Sequence, residues 1–224
     1  MPLPYKINKK MEALNIVLLI AMAILSFYFY RRFHAQVATH FDVSGQPDGY
    51  SGKTFAAFFF PLVFVGIYLL MLLLPFADPQ RKRYQEFGQV YQLVRLSINV
   101  FFFGVYLLVG LNGIGYAVPI GLIMPAGVGL LFIILGNVLP KVKRNWFVGI
   151  RTPWTLSSET VWYQTHRLSG KLFVASGLLL ILSIWLPKNW QMPLLFTIIA
   201  AILILTTGYS WWLWRQAEKK SIQE

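Results

Sequence analysis

The chain contains one very long stretch without a charged residue, from Leu96 to Pro140. A transmembrane helix needs about 20 mostly apolar residues to cross roughly 30 Å of hydrocarbon. The stretch is long enough for two such helices, and the glycine-containing segment Leu111–Gly115 is typical of the turn between them. We therefore predict that the polypeptide crosses a membrane twice within this stretch alone.

Four further charge-free runs are candidate membrane spans, although the run Leu172–Pro187 is short for one. They are Ala13–Tyr30, Thr54–Ala77, Leu172–Pro187 and Asn189–Trp214, and the last ends in tryptophans typical of a membrane–water interface. The first run could also be a cleaved signal peptide. Because its apolar part is longer than usual and no small-residue cleavage site follows, we interpret it as a retained helix. The runs together predict six spans.

The composition is that of a protein whose solvent is mostly lipid. Hydrophobic residues make up 57% of the chain and charged residues 12%, whereas soluble proteins carry roughly 25% charged residues. These values exclude a soluble globular domain and intrinsic disorder. We predict an all-α fold, a polytopic transmembrane helix bundle. Residues 1–77 would form an N-terminal helical hairpin with an ordered loop at 34–53, and residues 78–224 a four-helix region with a long loop at 136–171.

Positive charge is unevenly distributed between alternate loops, which predicts the orientation of the bundle. Six spans place both termini on one side, and cytoplasmic loops carry the excess of Lys and Arg. If both termini are cytoplasmic, about fifteen cations lie inside and four outside, namely Arg31, Arg32, Lys53 and Lys188. The net charge of +12 then reflects topology and contact with the lipid bilayer, and it predicts no direct binding of nucleic acid.

The predicted spans contain few polar residues and none that ionises, with Arg95 placed near a helix end. Ion-driven transporters need ionisable side chains inside the bilayer, so this pattern disfavours an energised transporter. Small residues recur every four positions in the fourth span, at Gly121, Pro125 and Gly129, and predict a close helix contact. The polar residues within the spans are Asn15, Asn99, Ser183, Thr197, Thr206 and Thr207.

The predicted outer loop contains the sequence Gln46-Pro47-Asp48-Gly49, which is typical of a tight turn and predicts an ordered loop. The absence of cysteine excludes disulfides, thiol catalysis and cysteine-based zinc sites. The remaining candidate metal ligands have loose spacing, so we predict no metal site. These candidates are His34, His40, Asp42 and Asp48.

The predicted inner loop leads into an amphipathic helix. Ser157 is a suitable N-cap, and Glu159 in the first turn complements the helix dipole. Glu159, Trp162, Tyr163 and His166 fall on one helix face. This face is either a recognition surface or part of a helix lying at the inner headgroups, with Trp162 among its anchors. Catalysis by His166 and Glu159 lacks a nucleophile in a suitable context, so we predict neither an enzyme nor a cofactor.

Both loops resemble the sequence pattern of a known family. The segments Gly136–Lys141 and Asn145–Leu156, with the helix start that follows, look like the signature of the bacterial SdpI-type immunity proteins. The outer-loop string is similar to the uncharacterised domain commonly found at the N-terminus of that family. The signature residues are Asn137, Pro140, Asn145, Gly149, Arg151, Thr152, Pro153, Trp154, Glu159, Trp162, His166, Arg167 and Gly170. The outer-loop residues are His40, Phe41, Asp42, Gly45, Pro47, Asp48 and Lys53.

The resemblance implies a multi-pass protein of the bacterial cytoplasmic membrane that protects its cell from a secreted antimicrobial peptide toxin. It also implies a second role, in which the toxin-engaged protein holds a cytosolic autorepressor at the membrane and relieves repression of its own operon. On this interpretation the outer loop meets the peptide, and the inner loop holds the bundle or docks the repressor. A small-solute transporter or channel without charge coupling stays open as the alternative, supported by six spans and a proline-broken fourth helix.

Overall fold

Seven α-helices and one β-hairpin form the fold in the computed structural model, which describes residues 3–42 and 44–223, with side chains as far as residue 219. The helices are α1 Lys9–Arg32, α2 Lys53–Ala77, α3 Tyr84–Gly113, α4 Ile120–Val138, α5 Pro153–Ser157, α6 Glu159–Leu182 and α7 Lys188–Gln223. The strands are β1 Gln36–Phe41 and β2 Pro47–Gly52. All the helices except α5 are long and apolar enough to cross a membrane, which confirms the six predicted spans.

The first span begins earlier than the charge-free run that predicted it. Asn8 caps α1, because its Oδ1 accepts hydrogen bonds from the backbone N–H groups of Lys10 at 3.1 Å and Met11 at 3.3 Å. Such a cap satisfies N–H groups that have no partner within the helix. The first turn of α1 therefore includes the charged residue Glu12.

The amphipathic segment predicted in the inner loop is the first part of a membrane-spanning helix, since α6 continues without a break into the fifth span. The interpretation of a separate helix anchored at the headgroups is wrong, because Trp162 is 3% exposed and packs inside the protein. The N-cap is Ser158, whose hydroxyl accepts from the N–H of Val161 at 3.4 Å. Ser157, predicted as the cap, instead ends α5.

The connecting segments gather at two ends of the bundle. The β-hairpin and the turns α3–α4 and α6–α7 lie at one end, where the Lys188 Nζ donates to the Ser44 carbonyl oxygen at 3.4 Å and Gly45 lies against Gly121. We call this the hairpin end. The segment before α1, the α2–α3 connection and the loop between α4 and α6 lie at the other end, which we call the signature end.

The hairpin departs from the all-α prediction. Strands β1 and β2 pair antiparallel, and the chain reverses between Phe41 and Pro47, where the Asp42 N–H donates to the Gln46 carbonyl oxygen at 2.8 Å. Residues 47–49, predicted as part of a turn, lie in β2. The predicted turn at residues 46–49 is therefore wrong, although the loop is ordered as expected.

The reversal occurs at Asp42 because its carboxylate organises the turn. The Asp42 Oδ1 accepts from the backbone N–H groups of Ser44 and Gln46, each at 2.8 Å, as Asp side chains do in Asx turns. Gly45 has a φ of +77°, a conformation that glycine adopts without steric cost. On the opposite side of the hairpin, Val37 in β1 is buried in the aromatic core of the helices.

Glycine pairs bring α4 and α6 into backbone contact. Gly129 faces Gly177, and Gly136 faces Gly170, so that a Cβ atom on Gly177 would lie 2.4 Å from the Gly129 carbonyl oxygen. Contact at small residues is a common way for helices to associate in lipid, where no hydrophobic force drives them together. The predicted helix contact at Gly129 is confirmed, whereas Gly121 contacts the hairpin tip.

Aromatic side chains fill the space between α1, α2 and α3. Phe29, Phe64 and Tyr106 are each 1% exposed, and the rings of Phe29 and Tyr106 meet edge to face with centroids 5.7 Å apart. The Tyr106 hydroxyl donates to the carbonyl oxygen of Ala57 at 2.9 Å. The buried tyrosine thus keeps a hydrogen-bond partner, which is what allows it to stay in an apolar core.

Candidate functional site

The signature loop is folded around the side chain of Asn145, which is fully buried. Its Nδ2 donates to the carbonyl oxygens of Lys143 and Val148, each at 2.8 Å. Its Oδ1 accepts from the backbone N–H groups of Phe147 at 2.8 Å and Val148 at 2.7 Å. The amide therefore uses its donors and its acceptor on neighbouring backbone, and it fixes the shape of the loop.

Trp162 and His166 connect α6 to this loop. Their rings stack with centroids 4.0 Å apart, and the indole Nε1–H of Trp162 donates to the Val142 carbonyl oxygen at 2.8 Å. The His166 Nδ1 donates to the Trp162 carbonyl oxygen at 2.8 Å, while Nε2 accepts from the Ile150 N–H at 3.0 Å. One donor and one acceptor are what a neutral imidazole offers, so both nitrogens are satisfied by the backbone.

Gly149 lies where a side chain cannot fit. Its φ is +117°, and a Cβ atom would lie 2.3 Å from the Nε2 atom of His166. A residue with a Cβ would have both to adopt a left-handed backbone conformation and to displace the histidine. Position 149 therefore requires glycine for two reasons, its positive φ and the imidazole ring of His166 packed against it.

We expect Gly149→Ala to lower the free energy of unfolding by about 2 to 3 kcal/mol, from backbone strain and the loss of the His166–Ile150 hydrogen bond. Thermal unfolding of the detergent-solubilised protein measures the change. The matched control is Gly115→Ala, where φ is also positive, at +98°, but no atom lies within 4 Å of the added Cβ. Equal losses in the two variants would show that the contact with His166 contributes nothing.

A buried carboxylate joins the α2–α3 connection to the signature loop. The Asp78 Oδ2 accepts from the Tyr84 hydroxyl at 3.1 Å and from the Trp146 N–H at 3.0 Å. Its Oδ1 accepts from the Gln80 N–H at 2.7 Å. Three donors offset the cost of removing a charge from water. Sequence analysis missed Asp78; the signal was a lone carboxylate placed directly after a span and before three cations.

The short helix α5 links the signature loop to the last span. The Thr155 N–H donates to Thr152 Oγ1 at 3.2 Å, and the Thr152 N–H donates to Thr155 Oγ1 at 2.9 Å, a reciprocal capping box. Pro153 occupies the first turn of α5, where its missing N–H costs nothing. The Thr152 hydroxyl also lies 3.1 Å from the hydroxyl of Ser210 in α7.

The signature residues thus divide into an internal and an external set. The internal set consists of the buried residues Asn145, Thr152, Trp162, His166 and Gly170, together with the half-buried residues Pro140, Gly149 and Trp154. The external set consists of Asn137, Arg151, Pro153, Glu159 and Arg167. Two aromatic neighbours are also exposed, at 48% for Trp146 and 55% for Tyr163. The internal set builds the fold, and the external set is accessible to a partner.

Glu159 serves an ion-pair cluster and not the histidine. Its carboxylate pairs with Arg83 and lies 3.8 Å from the Arg144 guanidinium, which also donates to the Leu156 carbonyl oxygen at 3.0 Å. Within residues 3–42 and 44–223 no hydrogen bond joins Glu159 to His166. The acid–base pair considered from the sequence is therefore not assembled.

A buried ion pair at the signature end was missed by sequence analysis. Arg95 is fully buried, and its guanidinium pairs with the carboxylate of Glu12 in α1. The Tyr68 hydroxyl in α2 donates to the same carboxylate at 2.5 Å, and the Arg95 Nη1 donates to the Tyr5 hydroxyl at 3.4 Å. Placing Arg95 near a helix end was wrong, since α3 begins at Tyr84, three turns before it.

A second buried polar contact lies one turn further into the bundle. The Asn99 Nδ2 donates to the Asn15 Oδ1 at 2.7 Å, and both side chains are fully buried. Asn99 follows Arg95 by four residues, and Asn15 follows Glu12 by three, so each pair occupies one face of its helix. This matching of two polar faces was the signal in the sequence. The expectation that the bundle contains no ionisable residue is corrected by the Arg95–Glu12 pair.

At the hairpin end, His40 and Asp48 face each other across the two strands, with 2.5 Å between Nδ1 and Oδ1. Hydrogen bonds from the Gln46 backbone and the Ser44 side chain hold the pKa of the Asp42 carboxyl below its usual range, so this carboxylate stays charged at neutral pH. Within the part of the chain that the structure describes, no three His, Cys, Asp or Glu side chains gather as metal ligands would.

Beneath the hairpin lies a cavity of about 370 Å³. Three of the predicted outer-loop residues, His40, Phe41 and Asp42, line its rim. Its walls are mostly apolar side chains from α3, α4, α6 and α7, such as Val109 and Met124. The other predicted outer-loop residues do not line the cavity: Gly45 packs on α4, Pro47 and Asp48 are in β2, and the Lys53 ammonium lies over the ring of Tyr30.

Known proteins resemble this chain in both regions that carry the motifs. Residues 141–210 match the SdpI/YfhL protein family, and residues 17–65 match a domain of unknown function, DUF1648. The chain is 24% identical over 198 residues to Immunity protein SdpI of Bacillus subtilis (strain 168), an alignment that covers 88% of this chain and 93% of that protein. No solved structure matches. The predicted resemblance is confirmed, and with six apolar spans it identifies a multi-pass protein of the cell membrane.

Proposed function

We propose that this membrane protein protects the cell that makes it from a secreted antimicrobial peptide toxin. The observation that carries the proposal is the similarity to an immunity protein over 88% of the chain, which includes both the hairpin and the signature loop. This similarity indicates a role without catalysis, in agreement with a signature histidine whose two nitrogens are occupied by backbone groups.

The proposal requires the hairpin end to face the outside of the cell and both termini to lie in the cytoplasm. The distribution of charge supports this orientation. Four cations lie at the hairpin end, namely Arg31, Arg32, Lys53 and Lys188, while the chain holds 20 Lys and Arg residues in all. The excess at the signature end is what cytoplasmic segments carry. The hairpin then meets the peptide from outside.

We expect cells that lack this gene to become more sensitive to the peptides that their own strain secretes, and re-expression to restore survival. Peptides concentrated from the strain's culture medium serve as the challenge, and the concentration that halts growth is the readout. Gly149→Ala is a useful companion, because protection should fall only as far as the amount of folded protein falls. Unchanged survival of the deletion strain would contradict the immunity role.

The signature end provides a surface for a cytosolic autorepressor, which would be held at the membrane when the peptide is bound. The surface consists of the external signature residues with Trp146 and Tyr163, whose exposed aromatic and guanidinium groups are enriched at protein interfaces. The double variant Arg151→Ala, Arg167→Ala should retain survival but lose co-purification of a DNA-binding protein. If no such protein co-purifies with the parent protein, with or without peptide, the signalling role is wrong.

A transporter is the second candidate, because the bundle contains a buried ion pair and a buried asparagine pair between α1 and α3. Intramembrane charges often mark transport pathways. Here the two charges neutralise each other, which favours a structural role. Peptide-independent flux of an ion or solute into proteoliposomes that contain the purified protein would favour transport.

A further inference from the structure

Next to the cavity beneath the hairpin lies a second cavity between α3 and α4, of about 340 Å³. Three residues, Val105, Leu108 and Met124, line both of them. The second cavity extends along α3 as far as Leu96. From Val109 to Leu96 the helix rises about 20 Å at 1.5 Å per residue. The two cavities thus adjoin at these three side chains and together follow α3 from the hairpin far into the membrane-spanning part of the protein; we call them the α3–α4 groove.

The α3–α4 groove is polar at one end and apolar along the rest of its length. Thr39, His40 and Asp42 stand at the hairpin end, while the walls further along are aliphatic and aromatic apart from Ser97 and two glycines. Its lining residues Val100 and Leu130 are 47% and 55% exposed, so the groove opens sideways toward lipid. An occupant would thus have a polar part at the membrane surface and an apolar part within the hydrocarbon.

The charge at the rim indicates which kind of polar part fits. The Asp42 Oδ1 accepts the three hydrogen bonds of the hairpin turn, and within residues 3–42 and 44–219 its carboxylate forms no ion pair. The nearby Lys188 ammonium donates to the Ser44 carbonyl oxygen. This ammonium lines neither cavity, and Asp42 is the only Asp, Glu, Lys or Arg in the lining that the structure describes. A carboxylate in that position attracts a cationic group.

We propose that the α3–α4 groove binds the toxin itself, by taking up a short apolar segment of the peptide while Asp42 receives a basic residue beside it. This inference rests on the immunity role proposed above and names the site through which it acts. A peptide with an apolar segment and a basic residue would match the groove, whose rim lies at the hairpin and whose apolar walls lie within the membrane-spanning part. A peptide held in this groove is removed from the bilayer that it would otherwise damage.

Two glycines allow the groove to be filled without disturbing the fold. A Cβ on Gly104 of α3 would meet no atom within 4 Å, and one on Gly127 of α4 would come no closer than 3.6 Å to any atom, there Cε2 of Phe101. Both residues line the groove, and leucine is a better helix former than glycine. The matched controls are Gly66→Leu in α2 and Gly208→Leu in α7, which also have open space but lie outside the groove.

We expect the double variant Gly104→Leu, Gly127→Leu to accumulate normally and to protect cells only against peptide concentrations roughly tenfold lower than the parent withstands, the change produced by a loss of about 1.4 kcal/mol in binding. Asp42→Asn should weaken protection in the same direction. The two control variants should protect as the parent does. Full protection by a folded, groove-filled variant would overturn the proposal. If the parent protein itself gives no protection, the immunity role fails instead.

A direct measurement distinguishes peptide from lipid. Because the chain contains no cysteine, Met124→Cys provides a single thiol in the groove, and Gly208→Cys a matched thiol on the lipid-facing surface. In phosphatidylglycerol–phosphatidylethanolamine vesicles, the concentrated peptide fraction of the culture medium should slow maleimide labelling at position 124 but not at 208. Labelling at 124 that the fraction leaves unchanged, or slows no more than labelling at 208, would overturn the proposal.

Discussion

Gly177→Leu should prevent the accumulation of folded protein in the membrane. A Cβ at this position would lie 2.4 Å from the Gly129 carbonyl oxygen and 3.0 Å from the Ile133 backbone nitrogen, and backbone atoms cannot rotate away as a side chain can. Helices α4 and α6 would have to separate along their whole contact. We expect a loss of more than about 3 kcal/mol, the upper range for overpacked sites, which is a large fraction of a typical stability of about 5 to 15 kcal/mol.

The measurement is the yield of monodisperse protein after extraction in mild detergent, compared with total protein in the membrane. Gly208→Leu is the matched control, because it introduces the same side chain into a span where no atom lies within 4 Å of the new Cβ. Normal yield from Gly177→Leu would show that the close α4–α6 contact is not required for folding.

Arg95→Met should cost about 3 to 5 kcal/mol, because it leaves the largely buried Glu12 carboxylate without its cation. The side chain of Glu12 is 17% exposed and that of Arg95 is 1% exposed. Removing one partner of such a pair is far more harmful than removing both. The double variant Glu12→Gln, Arg95→Met should therefore recover most of the lost stability, as measured by the thermal unfolding midpoint in detergent.

The ion pair between Arg83 and Glu159 provides the comparison. Its side chains are 28% and 59% exposed, so Arg83→Met should cost no more than about 1 kcal/mol. If Arg95→Met and Arg83→Met shift the midpoint equally, or if the double variant is no better than Arg95→Met alone, the buried pair does not hold α1 to α3.

The number of spans could be predicted from the sequence because the chain contains separate charge-free apolar runs, most of them as long as a membrane span requires. The ends of the helices could not be placed in the same way. Charge marks the edge of a hydrophobic run, but Glu12 and Arg95 compensate each other and lie inside their helices. Ser158 and Asn8 decide where α6 and α1 begin through their hydrogen bonds to the backbone.

The sequence was enough to predict which residues belong to the candidate site. It was not enough to predict which of them are buried in the fold and which are exposed. One helical face was expected to carry Glu159, Trp162 and His166 together, yet in the structure Glu159 faces arginines while the two rings are buried. The outcome depends on a loop that folds back over α6, and helical periodicity carries no information about it. The hairpin was hidden for a similar reason, because its turn is made by Asp42 and not by the proline that follows.

The pairing of Glu12 with Arg95 also sets an order of events during biosynthesis. The two residues are 83 positions apart in the chain, so at about 5 to 20 residues per second the ribosome needs roughly 4 to 17 s to supply the cation after the carboxylate. Throughout that interval Glu12, in the first turn of α1, has to be solvated at the membrane surface or neutralised by another partner. The first helix thus gains its ion pair with α3 only after Arg95 has been synthesised.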